Sequence, residues 1–594
     1  MSGWTAAFEA ERVAPFPERE SKEVAVTDPE RYEVAILGGG LAGLTLGLQL
    51  KRARPETTVF IGEKRKGPAP ESAFKVGEST VEMSANYFAE VVGMKDHLEA
   101  NELPKAGLRF FFPAGDNSDI AQRVEWGSTS LPPVSAYQVD RGRFENALGE
   151  RNLAAGNDLR DDCVIEDVEF GEDEHAVTAT RAGESLTVKA RWVVDATGPK
   201  AMLKRKLGLE KDVEHKINSV WFRLAGGIDI DDWSDDPEWH ARTSEPGIRR
   251  LSTNHLMGEG YWCWLIPLAT GSISIGIVAD PRFHEFRDMK DRDGAIEWLK
   301  RHEPQLGNAI DGRRDQIEDF HGIEDFAYSC ERVFSPDRWC LTGVAGVFAD
   351  PFYSPGSDFI AQGNTFITDI VTRDLGGEDA RALRRRILQL NAQYLTVFET
   401  AVRGTYTNHY QLFGNAEVMS AKLLWEFASY WAVAALPFIQ GKLQDLDFSA
   451  AVQGDVRRII GPGGRLEQMF RDWHELGQLE WRDAFISHRS CPAFWQFHLD
   501  LDESYDDESL KARYPHNADV LEAFAVVLFH KAVERLDGQS IDPDAKVNPD
   551  AISLDPARWD KDGLFNGKGL SLTEARAAVP GVENMLLSEV VQPA

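Results

Sequence analysis

A glycine-rich turn near the start of the chain constrains its fold more than any other feature. Residues 32–37 (YEVAIL) read as a short apolar strand, GGGLAG follows at 38–43, and a helical stretch runs from about Leu41 to Arg54. A second strand, TTVFIGE, ends at Glu63. Gly38, Gly40 and Gly43 satisfy GxGxxG: the first allows a tight turn, the second lets backbone approach a pyrophosphate, and the third allows close helix–strand packing. Leu41 and Ala42 open the helix, whose free N–H groups and positive dipole end face the phosphates. Glu63 lies about 20 residues past the last glycine, where an acid accepts hydrogen bonds from a ribose. The spacing predicts a βαβ unit that binds a dinucleotide.

The remaining pattern predicts an α/β protein: a Rossmann-like nucleotide-binding domain, an antiparallel substrate-side sheet and a mostly helical C-terminal region. A helix is expected at about 141–155 and strands at 163–170, 175–180 and 185–194. Aromatic-rich alternating segments between about 215 and 280 read as the antiparallel sheet. We place a polar arm at 1–30, the core at 31–375, a helical region at 376–535 and an irregular segment at 536–594. The apolar run Leu423 to Ile439 is broken by Glu426 and Ser429 and reads as a buried helix.

A net charge of −31 argues against nucleic acid as a partner, which needs a positive surface. The five cysteines show no CxxC pair or metal-ligand spacing, so no metal is expected, and their small number suits a reducing cytoplasm. The N-terminus lacks the basic and apolar regions of a signal peptide. His255 is expected to be a hydrogen-bonded sheet histidine. The Asp229–Asp236 and Asp502–Glu508 clusters read as solvated faces.

Two segments resemble those flanking FAD in the FAD-dependent monooxygenase and halogenase superfamily: QVDRGRFE at 138–145, with Arg141, and VDATG at 194–198, with Asp195 and Gly198. At Gly343 the superfamily usually continues with Asp; here Val344 follows. Three motifs narrow the resemblance. Trp262, Trp264, Ile266 and Pro267 form WxWxIP, residues 348–356 fit FxxPxxSxG, and Lys75-Val-Gly77-Glu78-Ser79 fits KxGES. Over about residues 32–375 the chain thus resembles the flavin-dependent halogenases, in the tryptophan halogenase-like family.

That resemblance implies FAD reduced by a separate flavin reductase, with O2 and a halide (chloride or bromide) as co-substrates. Hypohalous acid would pass to a lysine, expected to be Lys75 with Ser79 beside it, and on to an electron-rich ring. The expected substrate is phenol- or pyrrole-like, free or carrier-bound. WxWxIP would shield the substrate from the flavin. The turn Ser354, Pro355, Gly356 and Ser357 opens a helix whose N–H groups would hold halide and reduced flavin. In tryptophan halogenases a glutamate precedes the motif serine; here Tyr353 stands there, in the expected substrate pocket. A tyrosine, with a reference pKa of about 10, cannot act as a carboxylate, which argues against free tryptophan. The chief alternative is an aromatic monooxygenase of the same superfamily.

Overall fold

The computed structural model describes residues 29–71, 75–537 and 539–591. The expected polar arm at 1–30 lies almost wholly outside the described residues, as does Phe74 of the lysine segment.

The strand Glu30–Leu37 pairs in parallel with Val59–Gly62 on one side and Glu184–Asp195 on the other. Asp158–Arg160 and Trp339–Leu341 extend the sheet in parallel at either side. Val34 to Leu37 are fully buried, as are Phe60 and Ile61. Helices cover both faces of such a sheet, so its central stretches, residues 34–37 and 59–61, are apolar instead of alternating. The helix Leu41–Ala53 follows the glycine turn and packs against Gly356–Leu375. The expected helix at 141–155 is Arg141–Ala154.

The second sheet has eight strands, with Asn218–Leu224, Ile273–Ala279, Tyr261–Pro267 and Thr253–Gly258 antiparallel in that order. Two of its pairings correct the antiparallel expectation. Thr253–Gly258 runs parallel to Leu108–Phe111, and Phe485–Ser487 runs parallel to Glu125–Gly127. Both bring together segments far apart in sequence, which local alternation does not encode.

The strand Tyr261–Pro267 divides two cores. Trp262, Trp264 and Ile266 face the main core, while Tyr261, Cys263 and Leu265 face a smaller one that includes residues of the helices Arg292–His302 and Pro304–Asp311. Side chains alternate along a strand, so a Trp-x-Trp-x-Ile spacing delivers three large groups to one face.

Ala416–Tyr430 is a largely buried α-helix that continues through a π-helical turn, Trp431–Ala435, into Leu436–Ile439. Among the described residues no helix is long and apolar enough to cross a membrane. The expected irregular C-terminal segment instead contains the short helices Pro556–Asp562, Leu572–Ala578 and Leu587–Val590. Leu572–Ala578 packs on the long helix Asp507–Val533. Gly461–Gly464 lies at a helix–helix junction and not after a strand.

Candidate functional site

The glycine turn is built by close contacts. Gly38 has φ +118°, and a Cβ there would lie 2.4 Å from the Ala196 carbonyl oxygen; at Gly43 it would lie 2.0 Å from the Gly38 carbonyl oxygen. Gly40 differs: the nearest protein atom to a Cβ would be Lys75 Nζ at 3.8 Å. That side of the turn is open, as an approaching phosphate requires. Leu41, Ala42 and the rest of the first helical turn present their N–H groups there. Glu63 accepts from Gly39 N–H at 2.8 Å and from Arg65 N–H at 2.9 Å. Its carboxylate therefore ties the turn to the second strand beside the ribose position.

Asp195 is fully buried. Its oxygens accept from Thr197 N–H and O–H at 2.9 and 2.6 Å and from Leu203 N–H at 2.7 Å. This corrects its expected place among cofactor ligands: it builds the turn around Gly198, which rests near Val344. Val344 thus occupies packing space where the superfamily usually has Asp.

Lys75 does not line the apolar pocket described below. It forms an ion pair with Glu145, and Arg141 and Arg65 bind the same carboxylate at 2.6 and 3.5 Å. Burial pushes the Lys75 ammonium down and Glu145 opposes that shift. Three cations around one carboxylate leave a local surplus of positive charge beside the open Gly40. Arg141 Nε is buried with no hydrogen-bond partner among the described residues. The set fits the pyrophosphate of a dinucleotide such as FAD.

The second half of the site is the turn before Gly356–Leu375. Tyr353 and Ser354 have φ +70° and +60°. Two consecutive non-glycine residues in the left-handed region carry strain of about 1–3 kcal/mol each, which surrounding packing must hold. Phe352 holds it on one side: its ring meets Trp262 at 5.2 Å and Phe413 at 4.6 Å. Pro355 is the helix N-cap, and Gly356 and Ser357 begin the helix with N–H groups unpaired within it. A Cβ at Gly356 would meet nothing, so the helix end opens on free space.

Beneath the strained turn Asp350 accepts from His215 and Tyr410 at 2.7 Å each, and Tyr410 accepts from Trp262 Nε1 at 3.1 Å. Trp264 Nε1 donates to Ser274 at 3.2 Å, and Trp264 covers Gly276. WxWxIP and FxxPxxSxG are thus one hydrogen-bonded and packed unit, with Trp262 as its wall. Ile266 and Pro267 end the same strand, Ile266 on the same face as the tryptophans.

Tyr353 does not line the substrate pocket, contrary to expectation. Its hydroxyl donates to Glu426 at 2.7 Å, and its ring lies 5.7 Å from Phe427. Phe427 faces the pocket and Tyr353 stands behind it. His255 is buried, stacks on Phe110 at 4.6 Å and bonds the Arg109 carbonyl at 3.1 Å, as expected of a sheet histidine.

The pocket holds a residue that sequence reasoning missed. Val81, Phe427, Trp431 and Trp495 give it apolar walls, and Lys105 lines it from beneath. Lys105 is buried and donates to Ser79 Oγ at 2.8 Å and to the Thr80 carbonyl at 2.5 Å. Ser354 Oγ lies 3.0 Å from the same Ser79 Oγ. Ser79 therefore joins the strained turn to Lys105, not to Lys75. Burial pushes Lys105 down to about 7 although Glu82 and Asp358 favour its charge. One signal was available: Lys105 stands in LPKAGLRFFF, an apolar run bound for a sheet, where a lysine is costly without a task.

The comparisons agree with this geometry. A family model described as an FAD binding domain matches residues 31–271. The flavin-dependent halogenase chlA of Dictyostelium discoideum is 27% identical over 449 residues, 69% of this chain and 71% of that protein. A carrier-linked pyrrole-2-carbonyl chlorinase of Pseudomonas fluorescens is 27% identical over 342 residues, 55% of this chain and 72% of that one. In fold, halogenase PltM in complex with phloroglucinol and FAD superposes with a TM-score of 0.57 at 19% identity, covering 83% and 96% of the chains. The flavin-dependent halogenase CmlS gives 0.52 at 19% identity over 94% and 93%. The glycine turn, its cation cluster and the two-sheet fold define an FAD-dependent oxidoreductase. In its motif unit and over most of its length the chain is similar to flavin-dependent halogenases.

Proposed function

We propose that this protein halogenates an electron-rich aromatic ring, phenol- or pyrrole-like, and that Lys105 is the residue presenting the electrophilic halogen. The observation carrying this assignment is the Ser354–Ser79–Lys105 hydrogen-bond chain, which leads from the strained turn to the pocket. Gly38, Gly40, Gly43, Glu63, Arg141, Lys75 and the start of Gly356–Leu375 would hold FAD. When bound and reduced by a separate reductase, FAD supplies the O2 chemistry that oxidises halide to hypohalous acid.

The chain's own residues do the rest. The N–H groups of Ser357 and its neighbours offer an anion site at the helix N-terminus. Trp262 and Phe352 close the direct path between turn and sheet, so the oxidant is kept apart from the ring it modifies. Lys105, with a pKa of about 7, exists at neutral pH as both ammonium and amine. The ammonium hydrogen-bonds and polarises hypohalous acid; the amine forms a haloamine. Lys75 is assigned to the cofactor's phosphates.

Two relatives are named for pyrrole carried on a peptidyl-carrier protein, so free and carrier-bound rings both belong in the assay. The test is halogenated product, read by mass, from the FAD-loaded enzyme with reductase, NADH and bromide. Lys105→Met should bind FAD normally and lose product. Lys75→Ala should lose FAD affinity and, once saturated with FAD, retain product. The reverse pattern would return the halogen-transfer role to Lys75.

A further inference from the structure

Several polar atoms around the pocket have no partner among the described residues. Trp431 Nε1, His488 Nδ1 and both ring nitrogens of His498 are buried without a hydrogen bond. Each such group is costly to bury unless a ligand satisfies it. The indole alone says little, because Trp126, Trp239, Trp473 and Trp481 also bury unpaired N–H groups. His498 is different. It is 1% exposed, faces the pocket, and uses neither nitrogen. Its Nδ1 lies 3.3 Å from Glu82 Oε1, in ion-pair range without hydrogen-bond alignment.

The ring is nonetheless held firmly. His498 sits on the helix Pro492–Leu499, stacks on Trp495 at 4.5 Å and 18°, and meets Trp431 edge-on at 5.1 Å. Trp431 opens the π-helical turn, an irregularity frequent at functional sites. His498, Glu82 and Lys105 all line the same pocket. A carboxylate close behind an imidazole stabilises the imidazolium that forms when the ring takes a proton.

We propose that His498, backed by Glu82, is a general base that removes the hydroxyl proton of a phenolic substrate in the pocket these residues line. The proposal rests on the halogenase reading above and narrows its substrate to hydroxylated rings. The O–H bond breaks, its proton goes to His498 Nε2, and the electron pair stays on oxygen. A ring carbon activated by that phenolate then forms a bond to the halogen held at Lys105. The halogen's former bond breaks, leaving its electron pair on the Lys105 amine, or on oxygen if hypohalous acid itself reacts. The ring then loses the proton of the substituted carbon to the nitrogen or oxygen that released the halogen, and His498 returns its proton to the product phenolate. A pyrrole is far less acidic than a phenol of pKa about 10 and gains nothing from His498.

The experiment compares resorcinol, its dimethyl ether and pyrrole as probes, with FAD-loaded enzyme, reductase, NADH and bromide, and methionine present to consume free hypohalous acid. The expected result is efficient halogenation of resorcinol and a much slower reaction of the ether. His498→Gln, at equal FAD content, should reduce the resorcinol-to-ether rate ratio by about 100-fold, the contribution of a general base. Glu82→Gln should reduce the same ratio through kcat with little change in KM. His498→Phe gives a second, isosteric loss of both nitrogens should the glutamine variant fold poorly. The proposal is overturned if wild type halogenates ether or pyrrole as fast as resorcinol, or if the variants slow all three equally. If wild type forms no halogenated product from any probe and no hypohalous acid trapped by monochlorodimedone, the halogenase reading fails and takes the proposal with it.

Discussion

Lys105 and Lys75 are both lysines beside carboxylates, and their surroundings separate their roles. Lys105 is buried with two oxygen acceptors and no ion-pair partner at contact distance, while Lys75 shares Glu145 with two arginines. The folded pKa of Lys105, about 7, lies below its ordinary 10.5. The unfolded chain then binds more protons than the folded one between these values, so the cost of burying Lys105 grows as pH falls from about 10 to about 7. Lys105→Met removes that cost. The variant should melt higher than wild type at neutral pH, with the gap closing as pH approaches about 10, while losing at least about 100-fold in halogenated product. Thermal melts across pH and product mass check both halves. For Lys75→Ala the expected change is a FAD Kd raised by about 10-fold, equivalent to about 1.4 kcal/mol, read by flavin fluorescence titration.

The glycine turn and the helix it opens work as one element, and its glycines do different jobs. A Cβ at Gly43 would meet the Gly38 carbonyl at 2.0 Å, whereas at Gly40 it would meet only Lys75 Nζ at 3.8 Å. Gly43→Ala should therefore lower the melting temperature of the FAD-free protein and abolish FAD uptake. Gly40→Ala should leave the FAD-free melt close to wild type yet still weaken FAD, because only the cofactor's approach is obstructed. Equal destabilisation of the two FAD-free variants would contradict this division. The strained turn at Tyr353 and Ser354 is the complementary element, held by Phe352, Trp262 and the Tyr410–Asp350–His215 network. Tyr410→Phe leaves the Trp262 indole N–H unpaired in the core and removes one donor from Asp350. A loss of about 1–3 kcal/mol in denaturant unfolding is expected.

At the scale of the molecule, the division at residue 375 is a boundary in sequence but not in packing. The main core is continuous from Val34 through the helices Gly356–Leu375, Ala416–Tyr430 and Asp507–Val533 to Leu587. The pocket likewise takes Lys105 and Leu108 from the first half and Trp431, His488 and His498 from the second. A chain ended at Leu375 would expose the apolar face that this core covers. It should fail to give a cooperative unfolding transition and should aggregate when purified alone, as light scattering and calorimetry would report. A soluble, cooperatively folding 29–375 fragment that bound FAD would show that the halves are independent.

The parts whose physics is local can be read from the order of residues alone. A strand, a turn whose backbone contacts require glycine at Gly38 and Gly43, and a helix N-terminus follow one another without gaps, so the nucleotide site was legible from residues 32–63. The Trp-x-Trp-x-Ile spacing likewise fixes three side chains on one face of a strand, whatever lies opposite. Tertiary packing sets which lysine meets the pocket, turns the oxygens of Asp195 onto its own turn, and puts Tyr353 behind Phe427. It alone brought His498 to Glu82, since those residues lie on separate elements at opposite ends of the chain. Their meeting depends on the summed burial of both halves against one core. A short motif records which chemistry a segment can offer; the packing of distant segments decides which side chain reaches the space where that chemistry happens.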